Sequence, residues 1–264
     1  MNVLDFGFGP LDEQLWQVLF LSVRCAAALI AAPVVGALAV PPTLRALLGI
    51  AFGVFVASWV PLPALPEMTS FGAILAVVQE AVIGAALGFV LQVAFAIPLI
   101  AAEQIAGTMG LAIATSIDPS SGAQSGALGT YFGLVLTLLF YAIGGHLVWF
   151  ELIIESYRLL PAGSAGIGGL KAREVTLFMG HAFAAAAAIA LPVIVVLLLV
   201  QIVTGIISRS APALNLFALG LPSGVLAGIA ALIVVMPIVV EQFVALIAAA
   251  LEQSASLTQS GFPA

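Results

Sequence analysis

Polar positions along this chain are sparse and gather at the ends of long apolar runs. Six runs are bounded by proline, glycine or charge: Leu15–Val40, Thr43–Val60, Phe71–Ala102, Leu128–Tyr157, Val175–Ile207 and Leu214–Leu251. Most reach the roughly 20 residues that a helix needs to cross a hydrocarbon layer. They are rich in Ala, Leu, Val and Gly and show no period-two alternation, so they predict helices rather than barrel strands. The expected fold is an all-α integral membrane protein. The runs starting at Phe71 and Leu214 would each extend about 50 Å as single helices, against a hydrocarbon core of about 30 Å. Prolines 98, 192, 222 and 237 lie inside the long runs, and kinks, or half-helices folded back as hairpins, would absorb the excess length.

Composition sharpens this picture. Of 264 residues, 63% are hydrophobic and only 7% charged, too few polar groups to face water over a domain of this size. The formal charge of −6, with 6 scattered Lys and Arg, leaves no patch that could hold a nucleic-acid backbone. The single cysteine, Cys25, excludes an intrachain disulfide, CxxC redox chemistry and a Cys-rich zinc site, and reads as a small core residue. The N-terminal segment 1–14 is acidic where a secretory signal needs a basic region, so the first apolar run is expected to be retained, with the A-x-A-like Ala37-Leu38-Ala39 as a counter-signal. Neither six-span topology places all the basic residues inside: one misplaces Arg158, Lys171 and Arg173, the other Arg45 and Arg209. Re-entrant stretches explain that conflict, and so does the small number of charges.

No enzyme signature is present. His146 and His181 lie on separate runs without HExxH or cysteine spacing; His146 reads as a helix-entry residue and His181 as a packed polar group, so no metal and no cofactor are expected. The phosphate-binding GxxxxGK[ST] loop and the GxSxG elbow are missing. The better leads are ionisable groups within apolar runs, where each is costly unless it meets a partner or water: Arg24, Glu80, Glu103, Glu151, Glu155 and Glu241. Glu80 suits a bound cation, or a neutral carboxyl hydrogen-bonded to another subunit. Glu151 and Glu155 share a helical face, with Arg158 three residues beyond; an ion relay and an interfacial Glu155–Arg158 pair are the two readings, of which the pair fits the end of a run better. Small residues at four-residue spacing, Gly49/Gly53, Gly84/Gly88 and the ladder Gly220, Gly224, Gly228, suit close helix approach.

The connectors Pro61–Ser70 and Pro161–Gly169 are short, turn-rich links. The segment 103–127 is longer, apolar and broken by Gly107, Gly110, Pro119, Gly122 and Gly126, a combination typical of functional loops. Its first part, EQIAGTMGLAIATSIDP, carries an acidic residue, then M-G-L, A-T and D-P. With the P-x-x-R turn at Pro42–Arg45, the GGHL segment and the turn from Arg209 to Phe217, it resembles the signature of the FliR family of flagellar export-gate proteins, over about Leu15 to Glu241. The related injectisome branch typically has an acidic residue and an arginine where this chain has MGLAIATS, so the flagellar branch is preferred; the tail 253–264 matches nothing in the family.

The resemblance implies a FliP-like helical part over 15–172, including a pore loop at 103–127, followed by a FliQ-like helical hairpin over 173–252. It implies a structural subunit of the type III protein export gate of the bacterial flagellum, in the inner membrane, with FliP-like and FliQ-like subunits, an FlhB-like protein and unfolded export substrates as partners. It also implies a plug running from Gly107 to about Ser121, built by Gly107, Thr108, Met109, Gly110, Leu111, Ala112, Ile113, Ala114, Thr115, Ser116, Ile117, Asp118 and Pro119. Met109, Leu111, Ile113 and Ile117 are its expected sealing residues, and apolar constrictions close by dewetting. The alternative from another class is a proton-coupled or small-solute transporter using Glu80, Glu103 or Glu151, which would be expected to show a paired repeat that the two halves lack.

Overall fold

The apolar stripe of the first run fixes the first packing contact. Phe20, Leu21, Arg24, Cys25, Ala28 and Leu29 recur at helical spacing and are all buried. In the computed structural model, which describes residues 11–33, 35–37, 40–60, 70–111, 126–163, 172–210 and 216–258, this stripe lies on α1 (Leu11–Ala31). The described residues contain six further helices and no strand: α2 (Pro42–Trp59), α3 (Phe71–Thr108), α4 (Ala127–Ala142), α5 (Gly145–Leu159), α6 (Ala172–Ser210) and α7 (Leu216–Thr258). Five of them, α1, α2, α3, α6 and α7, are long and apolar enough to cross a membrane, and α4 with α5 meets the same criterion jointly. The chain is an all-α integral membrane protein.

Two expectations about continuity change. Helices α3, α6 and α7, of 38, 39 and 43 residues, run unbroken through Pro98, Pro192, Pro222 and Pro237, so none folds back as a hairpin at its proline. At 1.5 Å per residue they extend about 57 to 65 Å, roughly twice the hydrocarbon thickness, and must tilt or emerge from it. The fourth run, expected as one element, instead breaks at Gly144, whose φ of 73° ends α4 and opens α5. That left-handed conformation is cheap only for glycine.

The helices belong to two compact units, one of Met1–Val93, Gly144–Phe178 and Ala249–Ala264, the other of Ala94–Ile143 and Met179–Ala248. In the first unit, α1 is approached on its backbone by glycines of two helices. A Cβ on Gly49 of α2 would lie 2.7 Å from Ala26 Cβ, and one on Gly53 would lie 2.9 Å from the Ser22 backbone nitrogen. On α3, a Cβ on Gly84 would lie 2.1 Å from the Arg24 carbonyl oxygen, and one on Gly88 would lie 2.4 Å from that of Ala28. The turn between α1 and α2 is closed by Arg45, whose Nη2 donates to the carbonyls of Ala37 and Val40, and Pro42 opens α2, where a missing N–H costs nothing.

The close α1–α3 approach creates the main polar feature of this unit. Glu80 stands four residues before Gly84, on the same face of α3, and its carboxylate meets the Arg24 guanidinium in a forked pair, with Nε to Oε2 at 2.7 Å and Nη2 to Oε1 at 3.1 Å. Arg24 is 0% and Glu80 1% exposed. The remaining capacity is used locally. Arg24 Nη1 donates to Ser156 Oγ, Nη2 also donates to the Leu160 carbonyl, and the Gly163 N–H donates to Glu80 Oε1. The Tyr157 ring lies under the guanidinium, 4.1 Å from Cζ, and its hydroxyl donates to the Leu21 carbonyl while accepting from the Cys25 thiol. Trp149 Nε1 reaches the Leu87 carbonyl at 3.4 Å, a direct tie between α5 and α3.

The second unit is organised by aromatic contacts. Phe132, Leu136 and Phe140 form the buried stripe of α4. Phe132 meets Phe243 of α7 edge-on at 5.5 Å, and Phe140 meets Phe95 of α3 at the same centroid distance. On α6 the buried positions Ala186, Ala190, Val193 and Leu197 continue this interior.

Two outcomes follow, both measurable as thermal stability in detergent. Gly84→Ala drives a Cβ into a backbone oxygen that cannot yield and is expected to destroy the fold, whereas Gly107→Ala, with open space around it, is expected to be neutral or stabilising by up to about 1 kcal/mol. Arg24→Ala or Glu80→Ala alone is expected to cost about 3–5 kcal/mol by stranding a buried charge, while Arg24→Met combined with Glu80→Leu recovers most of that loss; equal losses in the single and double variants would show that the pairing is not the stabilising feature.

Candidate functional site

The segment singled out from sequence begins where α3 ends. Helices need special chemistry at their C-termini because the last carbonyls lack helical partners. Here Gly110, at φ 84°, turns the chain. The Leu111 N–H bonds back to the Ala106 carbonyl at 3.0 Å and the Gly110 N–H to that of Gly107 at 3.1 Å, the paired pattern of a Schellman cap. Gly107 itself is helical and exposed, so the turn belongs to Gly110 and not to both glycines. The Thr108 carbonyl receives a further bond from outside the helix, Gln201 Nε2 of α6 at 2.8 Å. The Thr108 hydroxyl turns back to the carbonyls of Gln104 and Ile105.

Met109 is 4% exposed. It occupies the seat left by the glycine ladder of α7. A Cβ on Gly224 would lie 3.1 Å from the Met109 carbonyl oxygen, and one on Gly228 would lie 2.6 Å from Met109 Cγ and Cε. The ladder therefore admits a thioether side chain and the end of a helix, in place of a second helix backbone. Gly220, half-buried, accepts from the Ser223 hydroxyl through its carbonyl.

The segment's far end is tied to its near end. Gly126 is the N-cap of α4 and carries no side-chain cap. Its N–H donates to Glu103 Oε1 at 2.9 Å, so a carboxylate on the last turns of α3 holds the entry of α4. The carboxylate also lies at the positive end of the α4 dipole. Ala112, Ile113, Ala114, Thr115, Ser116, Ile117, Asp118 and Pro119 lie outside the described residues.

The other charged candidates are dispersed. Arg24 and Glu80 form the buried pair of the first unit, so Glu80 finds its partner within the chain. Glu155 Oε2 meets Arg158 Nη1 at 3.3 Å, with both side chains exposed. Glu151 is exposed on α5. Glu241 is exposed on α7 near the exposed apolar residues Ile238 and Val244. His146, at the start of α5, packs edge-on against Phe150; His181 is exposed on α6 and not packed as expected, and no group of metal-ligating side chains occurs among the described residues. Sequence reasoning missed Gln201, and it named Gly126 only as a break in the segment and not as a partner of Glu103. The first was detectable as the lone amide within the run LLLVQIVTG; the second had no signal beyond being a glycine before an apolar run.

Comparison with known proteins fits this architecture. The family model described as "Bacterial export proteins, family 1" matches residues 15–250. The chain is similar to the flagellar biosynthetic protein FliR of Escherichia coli (strain K12), 32% identical over 230 residues, which covers 87% of this chain and 86% of that protein. It is likewise similar to the FliR protein of Bacillus subtilis (strain 168), 31% identical over 84% of this chain and 86% of the relative. The surface presentation of antigens protein SpaR of Shigella flexneri is 30% identical over 143 residues, about half of each chain. A family match that runs from α1 almost to the end of α7 includes both the buried Arg24–Glu80 pair and the capped end of α3, and the chain belongs to the bacterial export proteins of family 1.

Proposed function

We propose that this protein is a structural, non-enzymatic subunit of the type III protein export apparatus of the bacterial flagellum, embedded in the inner membrane. It completes a pore with FliP-like and FliQ-like subunits next to an FlhB-like protein, and its segment 107–119 serves as an apolar plug that seals the pore until an unfolded substrate passes. The FliP-like part ends near residue 172, and α6 with α7 forms the FliQ-like part. The observation that carries this reading is the construction of the plug's base. A loop that is long and apolar by sequence starts from a capped helix end whose Met109 is buried in a glycine seat and whose two ends are tied through Glu103.

Within the segment the roles divide by surroundings. Met109 anchors, because it is already enclosed by its own chain. Leu111, which is half-exposed, and the following Ile113 and Ile117 provide the seal. An apolar constriction excludes water and ions without a fixed geometry, which suits a gate that must later pass a polypeptide.

Two measurements test the proposal. Native mass analysis of the tagged protein, extracted in mild detergent from its own cells, is expected to show a large complex with several FliP-like and FliQ-like chains; a stable monomer or homodimer would overturn the pore reading and favour a transporter. Replacing residues 112–125 with a short Gly/Ser linker is expected to leave that complex assembled and make the membrane leak small ions; an assembled complex that stays ion-tight would remove the plug.

A further inference from the structure

Resting on the reading of this chain as one subunit of a larger assembly, we propose that the side of α7 around Glu241 is a docking seam for a helix of another chain, and that this helix brings an arginine or lysine to Glu241. Val234, Ile238, Glu241, Ala245 and Ala248 follow one another at spacings of four, three, four and three residues, and all five are exposed. That spacing sets them in one line along the helix, the line that a second helix packed alongside follows over successive turns. The opposite side of α7 is already in use. Phe243, two residues and about 200° around the helix from Glu241, is buried and meets Phe132 of α4, with Val239 and Ile247 buried one turn to either side.

Charge decides what covers this seam. A carboxylate with apolar neighbours before and after it on the same helix face is costly unless a cation reaches it. Among the described residues, no cation of this chain does. The chain has six Lys and Arg. Arg24 and Arg158 are taken by Glu80 and Glu155, the two ion pairs among the described residues, and Arg45 donates to carbonyls at the α1–α2 turn. Arg173 and Arg209 stand in the first and last turns of α6, in neither pair. Lys171 is the sixth and lies outside the described residues. The size of the seam residues selects a helix over lipid. Exposed residues before Glu241 are large, Val234 and Ile238, whereas those after it are Ala245 and Ala248, whose methyl groups let another backbone come close. A lipid headgroup meets a carboxylate at the edge of an apolar surface, and here the apolar seam continues past the carboxylate. The long stem of an arginine or lysine on a helix touching these alanines packs along the seam and carries its charge to Glu241. One polar position in an apolar seam also fixes which residues sit opposite.

The test uses the full chain in its own cells. The photo-crosslinking amino acid benzoylphenylalanine replaces Ile238, which is already large and exposed, and the peptide linked on irradiation is identified by mass spectrometry. The expected product is a segment of another chain with a Lys or Arg within about one helical turn of the linked residue. Glu241→Arg is expected to lower the amount of assembled complex about tenfold, and changing that basic residue of the linked chain to Glu in the same cells to restore it to within about threefold of the unmodified level. Four results would each overturn the seam: assembly unchanged by Glu241→Arg, no rescue by the reversed charge, a linked segment without a basic residue, or linkage to lipid or to this chain's own segment 164–171 alone. Because Glu241 is exposed, the melting temperature of the extracted Glu241→Arg chain is expected to match the unmodified one; if it does not, the Ile238 linkage decides the question by itself. A monomer in native mass analysis would end the subunit reading and the seam together. A complex in which Ile238 links only to lipid would leave the subunit reading standing and remove the seam.

Discussion

The first unit depends on how closely α3 can lie against α1. An arginine and a glutamate within apolar helices are tolerable only if each satisfies the other, and a forked guanidinium–carboxylate pair has little freedom in distance or angle. Gly84 supplies that distance. With no side chain there, α3 rests on the carbonyl of Arg24 itself, and Glu80, one turn earlier on the same face, arrives at the guanidinium at 2.7 Å. Any larger residue would hold the helices apart and leave two charges stranded in a medium that solvates neither. Ser156, Leu160 and Gly163 then complete the hydrogen bonding, which ties α5 and the turn after it to the same point.

Glycine spacing does a different job in the second unit. The ladder on α7 looks like the pairs on α2 and α3, but it receives the end of α3 and the flexible side chain of Met109. The difference lies in what faces the glycines. Gly49, Gly53, Gly84 and Gly88 all meet α1, where Ala26, Ala28 and Ser22 are also small, so two backbones can touch. Gly224 and Gly228 meet a helix terminus, where a thioether can fold into the space. The helices also differ in how much of their surface is covered. Over the spanning window α3 is 56% buried, while α6 and α7 are 28% and 22% buried, and residues such as Leu199, Ile206, Ile233 and Val234 stand exposed. Those two helices need lipid or other chains around them, which α3 largely does not.

The sequence made the broad architecture readable because apolar run length is a strong signal, and six runs correctly announced a helical membrane protein. Continuity was harder. Proline marks positions where a helix is weakened, but a long apolar helix keeps its other hydrogen bonds when no water competes for them, so α3, α6 and α7 pass through their prolines. The break occurred at Gly144, in a GGHL segment whose left-handed turn has no hydrophobic signature. Candidate charges were legible one at a time, since each stands out against its apolar surroundings. Their partners were not, because Arg24 and Glu80 are 56 residues apart and only the α1–α3 contact brings them together. The same limit hid the partners of Gln201 and Gly126, which lie on other helices.

A seal for an unfolded chain poses two opposed requirements. The sealing residues must yield, since they have to reshape around a substrate of varied side chains, while their base must not, since a base that drifts would let water in. Under the plug proposed above, the two would be separated along the sequence. Met109 would be an obvious sealing residue by its chemistry, yet it is enclosed by glycines, and the flexibility of its side chain is spent on filling that seat. Under that proposal, compliance falls to the apolar residues that follow Gly110 in sequence. Among the described residues, a capped helix end stands on one side of this segment and the Glu103 carboxylate on the Gly126 N–H stands on the other. Fixed ends are more readily built by a helix cap and one carboxylate than by the apolar residues themselves, because apolar contacts are non-directional and cannot fix a register.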